Sequence, residues 1–375
     1  MYILGIETSC DDTAAAVVEA NGGLSKPQFS VLSSISYSQV AIHKKYGGIV
    51  PNLASRAHLE KIAPTVESAL SIANVNNKKI NLIAVTRGPG LMPSLLVGIN
   101  FARALAYKWQ KPIIGVNHIE GHIYSNWLSP IANVKFQMSN VKNIEFPALI
   151  LIVSGGHTEL VFMKDYGKYK IIGETLDDAA GECFDKTARI LGLGYPGGPA
   201  IARQAEQWKS RSLNHKPQIN LKIQNTKYKI QLPRPMINSK DYNFSFSGLK
   251  TAVLYSYKNM NKSAILRQTH DPELIRGMAN EVQDAIVDVL VSKTIKAAKN
   301  FRPKTVMIAG GVAANKKLRE EMTIKIAPYK IPFLVPDLSY TTDNAAMIAV
   351  AGYYLKLRPT IDSWKKVKAD ANLRL

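Results

Sequence analysis

Two histidines four residues apart, His118 and His122, follow the apolar run PIIGV in the segment NHIEGH (117–122). On a helix, residues at i and i+4 share one face, and two imidazole nitrogens can then hold one metal ion. The alternative is a pair of hydrogen-bonded interior histidines. The chain has only seven histidines, so the spacing favours the metal. Two imidazoles leave room for a carboxylate or a third imidazole. Asp343, in TDNAAM (342–347) at the start of the last regular helix and on the second half of the chain, is the best candidate. Its alternative role is to cap that helix.

The pair resembles the H-E-x-x-H pattern of metalloproteases, but helix geometry separates the two. At about 100° per residue the histidines centre near 20°, and a glutamate directly after the first would lie about 80° from that centre. Glu120 stands one residue later and falls about 180° away, where it cannot readily serve as base on a water held by this metal.

No Walker loop and no GxGxxG after a strand occur. Instead Gly155-Gly156 follow ALILIVS, Gly310-Gly311 follow TVMIA, and Gly192-Leu-Gly194-Tyr-Pro-Gly197-Gly198-Pro199 follows a helix. Glycines at strand ends let backbone N–H groups approach an anionic or planar ligand. Singly each is a turn; three on one α/β plan point to a nucleotide site. The strand end at Glu7–Thr13 gathers further oxygens. Asp11 and Asp12 can position a cation, a phosphate-bound water or an amine, or form an Asx turn. Cys10 beside them should have a raised thiol pKa, which disfavours it as nucleophile.

The elements that must position these residues come as two copies of one pattern. Strands at 1–8, 14–20 and 30–39 precede a helix at about 52–74 that Pro64 should interrupt, a strand at 81–88, a helix at 94–109 and a strand at 112–117. Strands at 147–156, 158–164 and 170–176 repeat the opening. Helices at about 178–191 and 273–301, a strand at 305–311, a helix at 315–326, a strand at 331–336 and a helix at 345–357 follow. The plan predicts two similar α/β lobes, residues 1–130 and 146–375, with the ligand between them and weak periodicity over 129–146. It resembles the actin, sugar-kinase and Hsp70-like ATPase fold.

A chain of 375 residues suits two domains. The net charge of +20 calls for a polyanion, nucleic acid first, unless surface lysine is simply abundant. A basic insertion at about 207–235 carries Lys209, Arg211, Lys216, Lys222, Lys227, Lys229 and Arg234 among Trp208 and Tyr228. Such a stretch can track a phosphate backbone and stack on bases, or be a solvated loop. Two cysteines make no disulfide framework and suggest a reducing compartment. No apolar run is long enough to span a bilayer and no secretory leader opens the sequence, so the expected location is cytoplasmic, away from membranes.

Together, GIETSCDDT (5–13), YGGIVPNLASRAH (46–58), GPGLMPSLLVG (88–98), HIEGH (118–122), VSGGHTEL (153–160), DDAAGECFDKTARILGLGYPGGP (177–199), FSFSGLKTA (244–252), AGGVAANKKLR (309–319) and TDNAAMIA (342–349) resemble the tRNA adenosine threonylcarbamoyltransferase family over nearly the whole chain. The resemblance implies transfer of a threonylcarbamoyl group from threonylcarbamoyl-AMP to the exocyclic amine of adenosine 37 in tRNAs reading codons that begin with A. It implies a divalent metal, iron or zinc, on His118, His122 and Asp343. It implies contacts to the acyl-adenylate from Ile152, Val153, Ser154, Gly155, Gly156, Asp185, Gly198 and Asn315. Asp11 is a plausible base or positioning group. Bacterial members, which the chain resembles most, work with a catalytically degenerate paralogue and a small P-loop ATPase; mitochondrial members form homodimers. Cys183 stands where the family usually has alanine, and 129–146 and 207–232 are longer than the compact bacterial pattern. The competing readings are a metalloprotease and a non-catalytic nucleotide-binding scaffold.

Overall fold

A computed structural model describes residues 1–23, 27–128, 144–214, 230–260, 271–356 and 363–375. The segment 129–143, most of the expected lobe boundary, and 215–229, most of the basic insertion, lie outside the described residues.

Among the described residues, two five-stranded sheets carry the fold. The first comprises β1 (Tyr2–Glu7), β2 (Asp12–Asn21), β3 (Gln28–Ser38), β4 (Ile80–Gly88) and β5 (Ile113–Asn117), in the order β3-β2-β1-β4-β5. The second comprises β6 (Ala148–Val153), β7 (Thr158–Asp165), β8 (Lys168–Glu174), β9 (Thr305–Ala309) and β10 (Phe333–Leu334), in the order β10-β9-β6-β7-β8. Read from the third strand of each, both sheets have one topology: an antiparallel three-strand meander, then two parallel strands beside the first. The duplicated α/β plan of the sequence is therefore the architecture.

The strands alternate as a sheet covered on both faces requires. Leu149, Leu151 and Val153 of β6 enter one core, and Ala148, Ile150 and Ile152 enter another. Outside the first sheet lie α2 (Pro51–Ala73) and α3 (Met92–Trp109), preceded by the single turn α1 (Val40–His43). The outer face of the second sheet is covered by α5 (Ala180–Ile190), α6 (Gly197–Asn214), α7 (Ser247–Met260), α8 (Pro272–Phe301) and α9 (Lys316–Ile326). Between the sheets lie the short α4 (His118–Tyr124) and the last helix, α10 (Ala345–Lys356).

Three expectations are corrected. Pro64 does not interrupt α2; it lies on the exposed side, where the carbonyl of Glu60 that loses its donor can meet water. The last helix does not stay with the second sheet: α10 packs on β1, β2 and β4 of the first. Bare backbone at Gly5 admits it, since a Cβ there would stand 2.0 Å from the carbonyl oxygen of Ala345. Asp343, just before α10, thus belongs to the N-terminal sheet's side. Finally, the basic insertion begins as helix α6, with the Trp208 ring against Gly277 of α8. Arg234 pairs with Glu281 and Asp288. These two side chains serve packing and pairing within the protein rather than forming a free face for RNA.

Candidate active site and metal centre

The strand β5 ends at Asn117, whose side-chain Oδ1 accepts the N–H of Ile119 at 2.8 Å and starts α4. One turn of α4 then brings His118 and His122 onto the same side, with ring centroids 4.6 Å apart. Asp343 meets both. Its Oδ1 is 3.4 Å from Nε2 of His118 and 3.2 Å from Nε2 of His122. One ligand atom from each of the three residues lies within 4.8 Å of the others. The sequence-derived triad is brought together.

Glu7, at the end of β1, completes the set from behind. Its carboxylate lies 2.9 Å from Nδ1 of His118 and accepts the Thr86 hydroxyl at 2.7 Å, while the N–H of Ser9 donates to its other oxygen. The Ser9 hydroxyl is 3.1 Å from the same Nδ1. A carboxylate accepting from Nδ1–H leaves Nε2 as the lone-pair nitrogen, and Nε2 is the atom that faces Asp343. His122, whose side chain is 1% exposed, has no hydrogen-bond partner on Nδ1 among the described residues, and its Nε2 meets only Asp343, at 3.2 Å and without hydrogen-bond alignment. A metal bond would satisfy Nε2, which burial leaves with no aligned hydrogen bond. Asp343 keeps 21% of its side chain exposed, so the triad opens on that side, as a centre with free coordination positions must. The residues present fit a divalent ion.

Charge balance follows. Burial opposes ionisation of Asp343, but His118 and then His122 outweigh it and hold the carboxyl well below its usual range. Burial likewise disfavours protonation of His118, yet Asp343 and Glu7 raise it well above an ordinary imidazole. Burial, together with the charge on His118, lowers His122.

The β1–β2 turn brings more carboxylates. Burial, then the charge on Asp343, pushes Asp11 up to about 6 and Asp12 up to about 7. Burial and Asp11 raise the Cys10 thiol well above its usual value, in the direction its carboxylate neighbours led us to expect. From the second sheet, the β6–β7 turn brings His157 to this centre. Burial first, then the charges on His118 and His122, depress it to about 4. That turn is tight: Ser154 N–H donates to the His157 carbonyl at 2.9 Å, and His157 N–H donates to Ser154 Oγ at 3.1 Å.

The other expected contacts cluster at the same strand ends, by different means. Gly155 and Gly156 face open space, with no atom within 4 Å of a Cβ built on either. Gly310, at φ +92°, passes so close to the Val153 carbonyl that only glycine fits there. Ile152 and Val153 bury their side chains in the two cores, so only their backbone can meet a ligand. Asp185, on α5, accepts the Gly197 N–H at 2.6 Å, which ties it to the start of α6 beside Gly198. Burial raises its carboxyl somewhat despite these N–H groups. Asn315 caps α9 through Leu318 N–H at 3.0 Å and donates to Gln283 at 3.0 Å. Glu120 lies on the other flank of α4, beside Tyr169, and lines a separate cavity of about 410 Å³ with Arg87 and Arg374. Cys183 is buried in α5, its thiol pushed up to about 12 by burial.

Sequence reasoning assigned no partner to Glu7 and overlooked Ser9, Thr86 and His157. The GIETS strand end held the signal for the first two; nothing in the spacing ties Thr86 to it.

Comparison with known proteins gives the family. Residues 30–350 match the family described as "TsaD: tRNA N6-adenosine threonylcarbamoyltransferase". A protein of that name from Caldicellulosiruptor saccharolyticus is 45% identical over 97% of this chain and 96% of its own length. One from Bacillus subtilis is 45% identical over 94% of this chain and 90% of its own. Among solved structures, a ROK-family glucokinase from Streptomyces griseus superposes at TM-score 0.45 with 11% identity, over 95% of this chain and all of that one. With half or more of its length matched and close relatives aligned end to end, this chain belongs to the tRNA N6-adenosine threonylcarbamoyltransferase family.

Proposed function

We propose that the chain transfers the threonylcarbamoyl group of threonylcarbamoyl-AMP to N6 of adenosine 37 in tRNAs reading codons that begin with A. One observation carries this reading beyond family membership: the open Ser154–His157 turn of one sheet meets the His118–His122–Asp343 triad beside the other. This juxtaposition supports a reading in which the glycine turn holds the adenylate next to a centre for its reactive end.

The reaction forms a bond from N6 to the carbamoyl carbonyl carbon and breaks the bond from that carbon to the phosphate oxygen. AMP leaves, and one N6 proton must go. An adenine amine is a weak nucleophile, because its lone pair is delocalised into the ring. Positioning and charge stabilisation are therefore the main demands. We assign Gly155, Gly156, Gly198, Asp185, Asn315 and the backbone of Ile152–Ser154 to the adenylate. His118, His122 and Asp343 would hold a divalent ion, iron or zinc, whose chemistry when bound is to polarise donor oxygens. Asp11, with a carboxyl near 6, is ionised at neutral pH yet basic enough to take the N6 proton. The proteolytic alternative would use Glu120 as its base, but Glu120 lies on the other flank of α4, beside Tyr169.

The test is nucleoside analysis of unmodified tRNA incubated with threonine, bicarbonate, ATP, a threonylcarbamoyl-AMP synthase and this chain. A degenerate paralogue and a small P-loop ATPase, the partners we propose, are added in parallel. Threonylcarbamoyladenosine at position 37 is the expected product. Its absence under every combination would overturn the reading, and chelator-sensitive casein cleavage would replace it with proteolysis.

A further inference from the structure

The segment 370–375 wraps the back of the metal centre. Val367, 1% exposed, anchors the chain beneath the first sheet, and Trp364 lies 5.2 Å from the ring of Tyr107 on α3. From there Asp370 N–H donates to the Arg87 carbonyl at 2.8 Å, and the Ala371 carbonyl accepts Gly90 N–H at 3.2 Å. The next residue of that loop, Leu91, donates its N–H to the Ser9 carbonyl at 2.8 Å. Ser9 is the residue whose hydroxyl faces Nδ1 of His118.

The same segment also reaches the metal helix directly. The Arg374 carbonyl accepts Nδ2 of Asn117 at 3.1 Å, while Oδ1 of Asn117 caps α4. Asn117 is 6% exposed, so both halves of its amide are used in a nearly dry place. Flipping or turning the amide would lose a bond at each end, and buried polar groups resist that. One residue later comes the first ligand, His118. Across the lobes, the Arg374 guanidinium is 3.7 Å from Glu174 on β8, and Leu375 packs on the core between the sheets.

We propose that residues 370–375, through Asn117, form a clamp that positions His118 for metal binding. Ser9 touches Nδ1 on one side and Asn117 fixes the start of α4 on the other, and the segment holds both. Asn117 is a positioning residue here and does not touch substrate. The inference rests on the metal reading of the triad.

Two variants test it, each read by Co2+ affinity in chelator competition and by the Co2+ visible spectrum. Asn117→Ser keeps an N-cap oxygen but loses the donor to Arg374. Truncation after Ala369 removes the clamp. Loss of outer-shell support typically weakens metal binding roughly 10–100-fold, so both variants should bind Co2+ at least about tenfold more weakly with a changed spectrum. Parent-like affinity and spectrum in Asn117→Ser would overturn the clamp, whatever the truncated chain does. A wild-type chain that takes up no Co2+ would instead sink the metal reading on which it depends.

Discussion

At the scale of residues, the centre depends on which nitrogen of His118 is free. Glu7 decides this by holding Nδ1. Glu7→Gln keeps the shape but removes the charge, and should weaken metal binding about 10–100-fold, as measured by chelator competition. Asp11 supplies a second prediction. Its carboxyl is raised to about 6, so it is protonated below that pH and available as a base above it. The transfer rate at saturating tRNA should climb as pH rises through about 6 and then level off. Asp11→Asn should flatten that limb and lower the rate roughly 10²–10⁴-fold while metal affinity is kept. The three residues of the triad were legible because an i, i+4 histidine pair is scarce and a helix start supplies a carboxylate. Glu7 was not, because an acid at a strand end reads as part of a polar turn until the fold places a histidine beside it.

At the scale of elements, the site depends on α4 and α10 packing face to face. Gly121 is the point of contact: a Cβ there would stand 2.7 Å from Ile348 and 3.2 Å from Met347. Gly121→Val should cost roughly 1–3 kcal/mol in urea denaturation and weaken metal binding, because it drives α4 and its histidines from the start of α10. Strand β7 carries a different liability. Burial and the neighbouring Glu174 push Glu159 up to about 7 from 4.5. The folded chain then binds more protons than the unfolded chain between those values, so this group's contribution falls as pH rises through that window. Glu159→Gln should remove that slope, read as denaturation midpoints at pH 5 and pH 8. Periodicity revealed the strands and the long helices. It did not place α10, because an all-apolar helix gives no sign of which sheet it covers. It gave no helix at α6, and from about residue 207 it read only a basic insertion, although the Trp208 ring lies against Gly277.

At the scale of the whole molecule, duplication explains the cleft. Two sheets of one topology each bring a first hairpin turn within reach of the Asp343 charge, Asp11 and Asp12 from one and His157 from the other. The repeat was readable as strand, turn, strand, twice. The return of the chain to the first sheet was not, since it depends on contacts between residues some 340 positions apart, such as Gly5 with Ala345. Among the described residues no helix is long and apolar enough to cross a membrane. The net charge of +20 has its counterpart in an RNA substrate, so KM for tRNA should rise steeply with salt, as a linear log–log dependence. The account's central claim is that the triad's metal and the facing glycine turn together carry out the transfer. The most direct measurement is the nucleoside content of tRNA after reaction with holo, metal-stripped and metal-restored protein, beside the His118→Ala, His122→Ala variant. The account predicts threonylcarbamoyladenosine with holo protein, its loss on stripping, its return with one equivalent of metal, and none with the variant. Modification that persists in the variant or after stripping would contradict it.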